Sequence, residues 1–214
     1  MDNRILILGN APIYKIPNRY YKVVFYFTNN SNFISSIQTD RVVGVIQNFT
    51  VEPSSWNCVK WGKIRKQKFI KYKTYFRDNY ETILIGEIND IKSGIKDVLN
   101  VVKVVNHKDI VAHVLWQLPI LRLIGVLGVK GCVNYLLLIL NLKTTINGKY
   151  RPSSGCFIAL YVLNKFKNTK IDLIGFSDPS KEYAVTKDIV LDKSPHVRID
   201  ILIFNLLKQK GSIL

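Results

Sequence analysis

Acidic residues are scarce in this chain: 15 aspartates and glutamates stand against 31 lysines and arginines, a formal net charge of +16 over 214 residues. A surplus of that size points to an anionic partner, whether nucleic acid, lipid headgroups or a phosphorylated small molecule. Cysteine is also rare. Cys58, Cys132 and Cys156 are odd in number and widely spaced, which excludes a disulfide framework and a CxxC pair and fits a reducing compartment. The stretch "LGNAPIY" lacks the GxGxxG spacing of dinucleotide binders and nothing matches GxxxxGK[ST], so neither nucleotide fingerprint applies. No Asp-x-Asp triplet occurs, so the paired carboxylate that could hold a metal against a sugar diphosphate is missing and a metal-independent reaction is preferred. His107 and His113 are six apart and would lie on different faces of a helix, which argues against a zinc site. The start, "MDNRILILGN", does not read as a signal peptide.

What is present reads as one folded unit. Hydrophobic residues make up 48% and charged residues 21%, an ordinary globular balance that favours neither disorder nor a multi-span membrane protein. Continuous apolar runs at 4–8, 23–27 and 42–46 read as buried parallel strands. Each is followed by asparagine: Asn10, then Asn29 and Asn30, then Asn48. In open α/β sheets ligands bind beyond the carboxyl ends of the strands, where asparagine can donate and accept hydrogen bonds without bringing a charge. Ordinary turn chemistry is the simpler account of any one of them.

Later segments extend the pattern. "KWGKIRKQKFIKYKTYFR", residues 60–77, alternates cations with aromatic rings, which suits a solvated basic face, a membrane interface or single-stranded nucleic acid. Residues 115–142 are the most apolar part of the chain, but Arg122 and Lys130 interrupt them, and Pro119, Gly125, Gly128 and Gly131 are expected to break any long helix. Buried core elements are expected there, with a face able to sit on a membrane. A helix over 157–166, a strand over 171–174 ending in Gly175 and Phe176, and an amphipathic helix over 195–210 complete the reading.

The segment "RPSSG", Arg151 to Gly155, stands at the mouth of the first of these helices. Serine is a favourable N-cap, and the first helical turn leaves N–H groups free for an oxyanion, which Arg151 could also pair. Capping alone accounts for one serine. His196 precedes the last helix and could serve as a general base, a cap or a surface residue.

Taken in order, GNAP, Asn30, Asn48, R-P-S-S-G, G-F-S-D, Tyr183 in "KEYAV" and His196 before Asp200 resemble the CMP-sialic-acid-dependent sialyltransferases. The pattern is similar to bacterial glycosyltransferase family 42, and "PSSGCFIALYVLNKFKNTKIDLIGF" also resembles the S sialylmotif of animal family 29. The resemblance covers roughly residues 1–50 and 148–207. It implies an α/β fold: a single Rossmann-like domain over 1–214, its mainly parallel sheet flanked by helices as in a sialyltransferase-type GT-A variant. Residues 1–50 and 148–214 would form the donor-binding parts, and 51–147 a basic and apolar middle insertion near the acceptor or membrane.

The same resemblance implies roles. Asn10 would contact CMP; Asn30, Ser153, Ser154 and Gly155 would hold the donor's carboxylate and phosphate region; Asn48 and Arg151 would approach the sugar. Tyr183 would hydrogen-bond the leaving phosphate, and His196 would deprotonate the acceptor hydroxyl. A second phosphate-binding tyrosine of the family is replaced here by "SDPSK", where Lys181 could assist. The implied activity is metal-independent, cofactor-free, inverting transfer of sialic acid or a related acidic sugar from a CMP donor to a glycan or glycolipid, such as lipooligosaccharide or capsule. Its expected place is the bacterial cytoplasm, at the inner face of an anionic membrane. A CMP-Kdo or other nonulosonic-acid transferase, another nucleotide-sugar enzyme, and a non-enzymatic basic protein binding membrane or nucleic acid are the rival readings.

Overall fold

The computed structural model describes residues 4–10, 13, 15–47, 57, 59, 62–76, 81–85, 101–105, 120–143, 152–166, 169–176 and 197–209. Its strands are β1 (Arg4–Leu8), β2 (Val23–Tyr26), β3 (Val42–Gln47), β4 (Glu81–Ile85), β5 (Val101–Val105) and β6 (Lys170–Ile174). They form a six-stranded sheet in the order β5-β4-β3-β2-β1-β6, and every neighbouring pair is parallel. Runs such as RILIL, VVFY and VVGVIQ suit this position because a strand covered on both faces needs apolar side chains at every residue, not at alternate ones.

Among the described residues four α-helices accompany the sheet: α1 (Gly62–Phe76), α2 (Ile120–Ile139), α3 (Ser154–Lys165) and α4 (Val197–Gln209), with a 3-10 segment over Thr28–Ser36. The chain steps outward from β1 to β5, then returns to place β6 on the far side of β1. Right-handed crossovers put connections that run in opposite directions on opposite faces. The cores follow that rule. Ile5, Ile7, Val45 and Ile83 pack beneath α2, α3 and α4, whereas Leu6, Leu8, Ile46 and Leu84 pack against Ile34 of the 3-10 segment and Phe69 of α1. In α3 every residue from Cys156 to Val162 is buried, as expected of a helix that is apolar all round.

Two sequence expectations change. The middle of the chain is no insertion beside the sheet: β4 pairs with β3, and β5 with β4, so residues 51–147 carry two of its strands. Residues 120–139 are helical on both sides of a kink at Gly128 (φ 67°, ψ 172°), where the expected break occurs, whereas Gly125 and Gly131 lie within helical turns. Glycine inside a helix costs only about 1 kcal/mol, which packing of Leu123, Leu127, Tyr135 and Leu138 into the core offsets. The expectation of buried elements holds for that one face; the other is exposed.

Early in the strands, a buried polar network ties the sheet edge together. Asp172 of β6 lies opposite Leu6 in register and is 4% exposed. It accepts from Arg4 Nη1 at 3.2 Å and from the hydroxyl of the fully buried Tyr21 at 2.9 Å, and Arg19 approaches within 3.6 Å.

Candidate functional site

The sheet reverses direction between β1 and β6, which makes the carboxyl ends of these two strands its topological switch point, the usual place for a ligand in open α/β folds. Three short stretches meet there. The Gly9 N–H, directly after β1, donates to the Ile174 carbonyl at 2.7 Å. A β-carbon on Gly9 would come within 2.2 Å of the Gly175 carbonyl oxygen, a backbone atom with little freedom to yield. Gly175 itself has φ 73°, in the left-handed region that glycine tolerates.

Phe176, next along the chain, wedges its ring against the mouth of α3. A β-carbon on Gly155 would meet that ring at 2.1 Å, and one on Gly9 would lie 3.1 Å from it. The same ring packs edge-on to Phe204 of α4, with centroids 5.9 Å apart. Gly155 is therefore required by close packing with Phe176, a reason separate from any ligand. Gly155→Ala is expected to destabilise the protein by about 1–3 kcal/mol through overpacking, read as a lower urea midpoint. Adding Phe176→Leu should recover part of the loss; an unchanged midpoint in the single variant would refute the contact.

The N-terminus of α3 is partly occupied by the protein's own groups. Ser153 is the N-cap: its Oγ accepts from the Cys156 N–H at 3.4 Å, and its carbonyl accepts from the Phe157 N–H at 2.9 Å. The Ser153 N–H donates at 2.9 Å to Oδ1 of Asp200, a carboxylate on the first turn of α4 that is 2% exposed. A carboxylate beside the positive end of a helix is favourably placed. Among the described residues the N–H groups of Ser154 and Gly155 have no partner, so these two donors are what the helix end can offer an incoming oxyanion.

Asp200 received no role from the sequence. Its signal there was an acid beside the apolar face set by Ile199, Ile203 and Leu207, which an amphipathic helix normally leaves free of charge. The neighbouring Cys156 thiol is pushed well above its usual range, chiefly by burial and further by the Asp200 charge. It stays neutral and is a packing residue, not a nucleophile.

The structure brings Ser153, Ser154 and Gly155 to the same end of the sheet as Asn10, which follows Gly9 and is exposed. Asn30 lies in the 3-10 segment that follows β2 at that end. Asn48, Arg151, Tyr183, His196 and Lys181 lie outside the described residues. β3 ends at Gln47, and α4 begins at Val197 with its first turn held against α3 by Asp200. Among the described residues no group of three histidine, cysteine, aspartate or glutamate side chains could hold a metal ion. Comparison with family models, curated proteins and solved structures finds no match to this chain.

Proposed function

We propose that this protein is a CMP-sugar-dependent glycosyltransferase of sialyltransferase type, with a Rossmann-like GT-A variant fold, that moves sialic acid or a related acidic sugar to a glycan hydroxyl. The observation that carries the reading is the convergence of three stretches, Gly9-Asn10, Pro152 to Gly155 and Gly175-Phe176, at the switch point of a parallel sheet. These stretches lie far apart in sequence and are the ones that resemble the family.

The chemistry follows from the donors available. A CMP-sugar is a monophosphate ester, so its leaving group carries less charge than a nucleoside diphosphate. The N–H groups of Ser154 and Gly155, with the Ser154 hydroxyl, can stabilise that modest charge as the bond to the sugar breaks. Asp200 already stands at this helix end, and its charge disfavours a second, more highly charged anion nearby. In the proposed inverting displacement Asn10 and Asn30 hold the donor, Asn48 and Arg151 face the sugar, Tyr183 hydrogen-bonds the departing phosphate, and His196 takes the acceptor proton. The needed groups are all on the chain, so no metal or cofactor enters the scheme.

The test is thermal and enzymatic. CMP at a hundredfold excess over its dissociation constant should add about 2.7 kcal/mol, several degrees in melting temperature for a chain of this size. A panel of CMP-sugars should then show hydrolysis or transfer that EDTA leaves unchanged. No response to CMP, with a steeply salt-dependent response to oligonucleotides, would overturn the reading; EDTA-sensitive turnover of a UDP-sugar would replace it with another transferase class.

A further inference from the structure

Helix α2 is apolar on both sides but buried on only one. Gly131, Tyr135 and Leu138 face inward, while Val129, Val133, Leu136 and Leu140 recur at i, i+4, i+7 and i+11 and are 47–70% exposed. That spacing makes a single outward stripe. On the other side of Gly128, Ile120 and Leu121 are 71% and 79% exposed. An apolar surface of this extent on a folded domain marks an interaction site.

Charge identifies what covers it. From 110 to 171, a run of 62 residues, the chain has no aspartate or glutamate and eight lysines and arginines. Arg122, Lys130 and Lys143 of that set are exposed on α2 or just beyond it. A second copy seated on the stripe would bring these cations against their own kind, whereas anionic headgroups would neutralise them while the acyl region receives the apolar side chains. We propose that the outer face of α2 docks on an anionic lipid bilayer, with the helix lying in the interface.

By length and composition α2 could span a membrane, but its placement opposes that. Leu123, Leu127, Tyr135 and Leu138 are part of the main core, so a crossing helix would have to be stripped from the sheet. Arg122 and Lys130 lie within the helix, where a spanning segment carries charge at high cost. The basic α1, for which a membrane interface is one of three sequence readings, packs on the opposite face of the sheet through Phe69. Its outward side therefore cannot meet the same flat bilayer as the α2 stripe. This inference does not depend on the transferase reading.

The experiment is flotation with phosphatidylcholine vesicles with and without phosphatidylglycerol, at low salt. The protein should float with the anionic vesicles and at least about tenfold less with neutral ones. Val133→Asp/Leu136→Asp should abolish flotation without lowering the urea midpoint, since both positions are exposed; Lys63→Glu/Lys66→Glu on α1 should retain most of it. In Leu136→Trp, emission should shift to the blue on anionic vesicles and be quenched by brominated acyl chains. Flotation unaffected by the α2 pair, or lost only in the α1 pair, would overturn the proposal. So would absence of flotation, with or without concentration-dependent dimerisation that Val133→Asp/Leu136→Asp removes; dimerisation would assign the stripe to a second copy.

Discussion

Asp172→Ala should lower the stability of this protein by about 3–5 kcal/mol, the usual cost of breaking a buried ion pair by removing one member. The side chains of Arg4 and Asp172 are only 15% and 5% exposed, so water cannot replace the lost carboxylate. Arg19, 40% exposed and more distant, is screened by solvent and should contribute little. Total stabilities run to about 5–15 kcal/mol, so the loss is a large share of the whole. Urea denaturation gives the reading. Arg4→Met/Asp172→Leu should recover much of the loss because it removes both charges together; a single-variant loss below about 1 kcal/mol would show that the network is solvated.

The same network sets an alkaline limit. Burial, then the hydrogen bond to Asp172 and its charge, raise the Tyr21 hydroxyl well above the ordinary tyrosine range, against the smaller opposing effect of Arg19 and Arg4. The folded state keeps this proton while the unfolded state releases it above about pH 10. The contribution is intact below pH 10 and falls by up to about 1.4 kcal/mol per pH unit above it. Tyr21→Phe should remove that part of the slope between pH 9 and 11.

His196→Ala should reduce sugar transfer by about 10²–10⁴-fold, the usual worth of a positioned general base, with the melting shift produced by CMP preserved. This prediction rests on the proposed function. Helix α4 begins at Val197, and its first turn meets the N-terminus of α3 through Asp200; His196 itself lies outside the described residues. Unchanged turnover would remove His196 from the reaction. Loss of the CMP response together with transfer would reassign it from proton acceptance to donor binding.

Much of the sheet was legible because parallel strands buried on both faces are continuous apolar runs, as β2 and β3 are and β1 is after Arg4; β6 was legible from Ile171, Leu173 and Ile174 ahead of Gly175, although Asp172 lies among them. β4 and β5 were not, because each is a short run amid polar and basic sequence. The N-cap at Ser153 could be read locally, since a cap involves only its own turn. Gly125 and Gly131 misled because their cost is small against tertiary packing, whereas Gly128 interrupts α2 as its residue type suggested.

Sequence by itself determined the charge excess, the apolar strands and the helix with serines at its mouth, all of which depend on composition or on neighbours within a turn or strand. Only tertiary structure decided that Gly155 must be glycine to admit Phe176, that Asp200 binds Ser153, and that the basic and apolar segments of the middle lie on opposite faces of the sheet. Each of these depends on contacts between residues distant in the chain, and crossover direction, not composition, selects the face on which each helix packs.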